Sequence, residues 1–244
     1  MKFIHVATIS TTTIIVLGII LISPVFFRTP TPEIQKKVML SFSVVESANV
    51  SEWCQNLSSI LKKYDVSATV FFVGKVAEKN QDSITYFSNK IDIGSQTYSN
   101  VDLTSISDYS VQLEEVKKGK MVIDETGKLY SRSFKAPYGT TDQNIYSLLS
   151  RSDIIGDFSY ENHYNLFVNE QFIRYDAAVY DGISYSPEFF LKLPKAVKPI
   201  IITFESPCSL IYIESLISQL QTGNITFVNA SDISGYNLTV RGEG

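Results

Sequence analysis

Histidine is nearly absent from this chain. Two occur among 244 residues, His5 at the edge of an apolar N-terminal stretch and His163 in a polar loop. No choice of register brings two histidines to one site, so a metal centre or catalytic pair that needs two is excluded. Cysteine is equally scarce, with Cys54 and Cys208 alone, which rules out a disulfide-dense scaffold and a cysteine-rich zinc site. Basic residues are in deficit, 21 Lys and Arg against 25 Asp and Glu, and they form no run or stripe. That argues against a nucleic-acid partner. There is no internal repeat and no low-complexity tract, so the chain is neither a solenoid nor a disordered linker.

What is present begins with an anchor. Residues 1–8 are a short N-terminal segment, and from Ile9 to Phe27 no charged residue occurs. A helix of that length crosses a hydrocarbon core of ~30 Å. A cleaved signal peptide is the rival, but Ser23-Pro24 runs into Val25, Phe26 and Phe27 with no small-x-small cleavage site. Lys2 precedes the segment while Arg28, Lys36 and Lys37 follow it, so charge does not fix its orientation. Residues 28–37 form a linker, stiffened by Thr29-Pro30-Thr31-Pro32. Five Asn-x-Ser/Thr sequons, at Asn49, Asn56, Asn224, Asn229 and Asn237, suit an extracytoplasmic domain, although Ser/Thr-rich sequence supplies some by chance. In an oxidising compartment Cys54 and Cys208 are candidates for a disulfide; two buried thiols are the alternative.

Residues 38–230 read as one domain and residues 231–244 as a C-terminal tail. Val38–Val45, Ala68–Val73, Ile91–Thr97, Ser133–Ala136, Ile154–Tyr160, Ile200–Phe204 and Thr226–Asn229 are predicted strands. Helices are predicted from Ser51 to Lys63, where Trp53, Leu57, Ile60 and Leu61 share a face, from Asp82 to Asn89, from an Asp108 cap to about Glu125, after an Asp142 cap, and over Leu210–Leu220. Residues 161–187 show no clear period and are read as irregular. Regular alternation of strand and helix calls for an α/β fold with a largely parallel sheet, closed into a barrel, whose chemistry lies at the C-terminal strand ends.

Those strand ends carry a recognisable order: Leu40-Ser41-Phe42-Ser43-Val44-Val45; Asp65-Val66-Ser67-Ala68-Thr69-Val70-Phe71-Phe72-Val73-Gly74; Ile93-Gly94-Ser95-Gln96-Thr97-Tyr98-Ser99-Asn100; and Phe134-Lys135-Ala136-Pro137-Tyr138-Gly139. In order and spacing the chain resembles the polysaccharide deacetylase (NodB-homology) family, well over residues 38–160 and loosely beyond. The resemblance implies a distorted (β/α) barrel that removes acetyl groups from glycans, with a divalent metal held by one Asp and two His and a second Asp as base. An open metal site polarises the amide and activates water, and a carboxylate takes the proton.

Residue by residue, that machinery is degenerate here. The base position is Ser43 and the metal Asp position is Val44. The two histidine positions are Gln96 and Asn100, the arginine position is Lys135, and no His follows the last strand, which reads Ile202-Thr203-Phe204-Glu205-Ser206. The resemblance therefore implies a pseudoenzyme with no zinc cofactor. Phe42, Gln96, Tyr98, Asn100, Lys135, Tyr138, Tyr160, Glu205 and Trp53 are the residues a sugar groove at the mouth would use, since rings cover pyranose faces and amides bond hydroxyls. Phe42 and Tyr138 could equally pack the fold, and Gln96 and Asn100 could fill the old metal hole. The carboxylates near the expected mouth, Glu46, Asp157, Glu161 and Glu205, form no dense cluster that would hold a substitute metal. The alternative is a divergent hydrolase of carbon–nitrogen bonds such as N-acetyl groups, with Glu205 or Asp157 activating the nucleophile. The expected partners are a membrane, through the N-terminal helix, and envelope glycan or a surface protein.

Overall fold

The computed structural model describes residues 35–142, 144–194 and 198–242. The expected anchor over Ile9–Phe27 lies outside them, and among the described residues no helix is long and apolar enough to cross a membrane.

The first strand shows how sequence becomes architecture. β1 (Lys36–Val44) alternates faces with a period of two. Val38, Leu40, Phe42 and Val44 pack into one apolar cluster with Trp53, Cys54, Leu57 and Leu61 of helix α1 (Val50–Lys63). Met39 joins a second cluster on the other face, with Phe71, Phe158, Tyr164 and Ile201. One face of the sheet is thus sealed by helices, and the other closes on itself.

Five further strands lie parallel to β1 along the sheet: β2 (Ala68–Phe72), β3 (Ile91–Ser95), β5 (Ser133–Phe134) and β6 (Gly156–Asp157) on one side, and β10 (Ile200–Glu205) on the other. The short β4 (Leu129–Ser131) stands apart from this sheet. Helices α2 (Gly74–Lys79), α3 (Asp82–Thr85), α4 (Tyr109–Gly127), α5 (Ile145–Arg151) and α7 (Leu210–Leu220) fill the crossovers. Asp108 caps α4 by accepting from Ser110 N, and Ser209 caps α7 by accepting from Tyr212 N, as short polar side chains do at helix starts.

The segment read as irregular, residues 161–187, is instead built of strands. β7 (His163–Val168) and β8 (Gln171–Asp176) form a hairpin antiparallel to β6. β9 (Ala178–Asp181) pairs in parallel with β10, and α6 (Pro187–Lys192) follows. The polar, Tyr-rich composition hid these strands because most of β8 is exposed and has no apolar face to signal a period. β8 and β9 are the two ends of the sheet path, yet a single residue, Ala177, joins them. Ala177 is fully buried in the inner cluster. The chain itself therefore crosses the seam, and the sheet curves into a nearly closed barrel.

The predicted tail is also part of the fold. β11 (Ile225–Phe227), inside the predicted domain, pairs with β1, and β12 (Thr239–Arg241), in the predicted tail, pairs antiparallel with β4. Between them α8 (Ala230–Ser234) is held against the strands, with Ala230 N donating to Thr69 Oγ1 at 2.9 Å and Ser231 N to Asp92 Oδ2 at 2.6 Å. Leu238 is fully buried in the inner cluster. At the other boundary, Lys36 is buried and its ammonium donates to the Phe190 and Leu191 carbonyls, so the domain starts within the predicted linker.

Candidate functional site

The C-terminal strand ends converge on a cavity of about 270 Å³. Ser43 comes from β1, Gln96 from just past β3, Lys135 from just past β5, Ser159 and Tyr160 from beyond β6, Asp181 from β9, and Thr203 and Glu205 from β10. The register places Ser43 opposite Glu205. Ser206 ties these two ends together, donating its N–H to Ser43 O at 2.9 Å and accepting from Val45 N at 3.0 Å.

Gln96 is only 3 % exposed, and its Oε1 has no hydrogen-bond partner among the described residues. Its position is fixed by the backbone, with Gln96 N donating to Phe72 O, and by Gly119 of α4, where an added Cβ would stand 2.6 Å from Gln96 O. Lys135 is half-buried, and loss of water holds its ammonium down to about 8, although the Glu205 carboxylate works the other way. Tyr138 is 71 % exposed at the rim, in the left-handed region at φ +60°. A bulky side chain rarely adopts that conformation without a supporting turn; here Gly139 N and Thr140 N close the turn on Ala136 O and Pro137 O.

Several expected mouth residues lie elsewhere. Phe42 is fully buried in the helix layer, stacked 5.3 Å from Phe204 and edge-on to Trp53, so it packs the fold. Tyr98 turns toward α2 and α4, donating to Glu78 Oε2 at 2.8 Å beneath the Lys118 ammonium. Asn100 sits in the loop beyond, at φ +60°, and does not line the cavity. Trp53 borders a separate groove and donates its indole N–H to Cys208 O. Glu46 is paired with Lys79 on the surface.

Asp157 also stays out of the cavity. It is fully buried between Phe134 and Asn165 across the sheet, and its Oδ1 accepts from Ser159 N and Oγ. Its Oδ2 has no partner in bonding geometry. Burial pushes this carboxyl up to about 6 against the pull of the Ser159 bonds. His163 stacks on Tyr160 at 4.1 Å, and burial with nearby Arg174 lowers its affinity for a proton.

Cys54 and Cys208 are free thiols rather than a disulfide, and burial pushes them up to about 12 and about 11. The Asn229 sequon is occupied by structure: its Oδ1 accepts from Asp232 N to cap α8, and its Nδ2 donates to Lys90 O. Asn49, Asn56, Asn224 and Asn237 are exposed.

Sequence reasoning missed Asp181, because it lay in the segment read as irregular. The signal was there in Ala178-Val179-Tyr180-Asp181-Gly182, a short β-rich run ending on a carboxylate and a glycine.

The donor set does not fit the metal that the family resemblance implies. Val44 is apolar and packed against the helices, Asn100 is outside the cavity, and Ser43 and Gln96 offer neutral oxygens only. Among the described residues no group of three or more His, Cys, Asp or Glu is placed to hold a metal ion. What remains is a polar, acceptor-rich pocket with an aromatic at its rim.

Barrel, strand-end mouth and turn motif together define a polysaccharide deacetylase fold. The polysaccharide deacetylase family model matches residues 31–154, and the chain belongs to that family. No curated protein matches it by sequence. Among solved structures it is similar to a CE4 family pseudoenzyme from Bacillus anthracis, with TM-score 0.61 and 18% identity over 82% of this chain and 65% of that one. It is also similar to the peptidoglycan deacetylase PdaC from Bacillus subtilis, with TM-score 0.57 and 14% identity over 82% and 91%. A family 4 carbohydrate esterase from Streptomyces lividans, in complex with acetate, gives TM-score 0.58 and 16% identity over 79% and 91%.

Proposed function

We propose that this chain is a membrane-anchored, extracytoplasmic glycan-binding domain that has lost metal-dependent deacetylation. The observation that carries the reading is the combination of a preserved mouth with a dismantled donor set: Gln96, Lys135, Tyr138 and Glu205 line the cavity, while Val44 is packed in the helix layer. An acceptor such as Gln96 Oε1, buried without a partner, is costly unless something supplies a donor, and sugar hydroxyls are donors. Tyr138 offers a ring for the apolar face of a pyranose. The charge-free stretch Ile9–Phe27 supports the anchor, and the exposed sequons support an outside location.

The test is calorimetric titration of the full chain, in nonionic detergent, with chitin-type and peptidoglycan-type oligomers. Binding is expected without acetate release, and Tyr138→Ala should weaken it roughly three- to tenfold, the scale of one aromatic contact. Absence of binding to either series would remove the reading. An active hydrolase is favoured only by the placement of Glu205 opposite Ser43 at the mouth. If acetate were released, Glu205→Gln should abolish it; an unchanged rate would remove that residue from the chemistry.

A further inference from the structure

The ionic lining of the mouth is lopsided. Among the described residues its carboxylates are Glu161, Asp181 and Glu205, and its one cationic side chain is Lys135. Lys135 is already subject to the field of Glu205, which lines the same cavity. Asp181 is engaged in its own turn through both oxygens, Oδ1 accepting from Ile183 N and Oδ2 from Ser184 Oγ. Glu161 and Glu205 are exposed, and neither carboxylate takes part in a hydrogen bond or ion pair among the described residues. At the floor, the buried Gln96 Oε1 is a further acceptor without a donor.

An N-acetyl group brings a carbonyl acceptor and only one N–H. A free amine at the same carbon is an ammonium, with three donors and a positive charge. Acceptors and carboxylates in excess select the second over the first, because opposite charge and complementary donors act together. From the unpaired Gln96 acceptor and the surplus of carboxylates, we infer that the cavity selects de-N-acetylated, cationic amino sugars over their N-acetylated forms. Sugars bearing carboxylates are disfavoured by the same field. This rests on the glycan-binding reading and names its ligand class. It makes the domain a reader of glycan that another reaction, an amide hydrolysis, has already deprotected.

The experiment is calorimetric titration of the full chain in nonionic detergent with a glucosamine tetramer, an N-acetylglucosamine tetramer and tetralysine. The glucosamine tetramer should bind about tenfold more tightly than its acetylated counterpart at low salt, with the gap closing as salt rises. The Glu161→Gln/Glu205→Gln double variant should lose about fivefold for the amine form alone, the scale of exposed ion pairs. Both side chains are exposed, so the fold should survive, which a thermal melt checks. Equal or tighter binding of the acetylated tetramer would overturn the selectivity while leaving glycan binding intact. Failure of both tetramers would overturn both readings. Tetralysine binding as tightly as the glucosamine tetramer would also overturn it, since bulk charge would then suffice.

Discussion

Val44 shows in one side chain why a metal-binding carboxylate does not fit at the end of β1. It is fully buried among the residues that pack β1 against α1. A carboxylate there would lose its water without gaining a cation. Val44→Asp should cost about 3–5 kcal/mol, the penalty for an unpaired buried charge, read as a lower urea midpoint at neutral pH. Asp157 makes the opposite point, because the fold already carries one such carboxyl. Its folded-state affinity for a proton is raised from 3.8 to about 6. The folded state thus holds a proton that the unfolded state releases between those values. Its contribution to stability is therefore greatest at low pH and is lost as pH rises through about 6. A two-unit shift corresponds to about 3 kcal/mol. Urea unfolding at pH 4.5 and pH 7.5 should show the wild type losing about 2 kcal/mol of this relative to Asp157→Asn, because pH 4.5 still lies above the unfolded value; parallel pH profiles would mean that the carboxyl is not buried as described.

The elements were legible to different degrees, for physical reasons. Strands buried on both faces, such as Ala68–Phe72, announce themselves as apolar runs, and Leu210–Leu220 matches its predicted bounds because its apolar face repeats with helical period. The β7–β8 hairpin did not, since its edge strand faces water and carries Arg174 and Asp176 where a core strand would carry apolar residues. β12 was missed because three residues pairing with a short partner leave no pattern. Half of the candidate site was legible for the same reason. Gln96, Lys135, Tyr138, Tyr160 and Glu205 follow strands that were found. Phe42 takes the packing role that the sequence left open, and Tyr98 lies away from the mouth, because a motif gives order along the chain, whereas the face a residue takes depends on the pleat and on which helix lies beneath. The packing of α4 against the loop after β3 offers a test at this scale. Gly119 lies where a Cβ would press on Gln96 O and on Tyr98 N. Gly119→Val should destabilise by about 1–3 kcal/mol, the usual cost of overpacking, and should weaken glycan binding by moving Gln96. An unaltered melting temperature would contradict this close approach.

At the scale of the whole molecule, the barrel is a deacetylase-type scaffold whose packing is separate from the residues at its strand ends. The helix layer, the buried turn from β8 into β9 and the C-terminal segment hold the strand ends in register through apolar packing and hydrogen bonds. The proposal that catalysis was lost and binding retained is thus compatible with a well-packed interior, because the residues that changed sit at strand ends rather than in the core clusters, Val44 excepted. Fold alone does not assign an activity, and the account turns on the donor set. Its most direct test is the zinc content of the purified full chain after incubation with excess zinc and removal of the unbound ion, measured beside acetate release from acetylated chitin-type and peptidoglycan-type oligomers. The account predicts far less than one equivalent of zinc and no acetate. One equivalent of tightly held zinc, with acetate release abolished by a chelator, would contradict it.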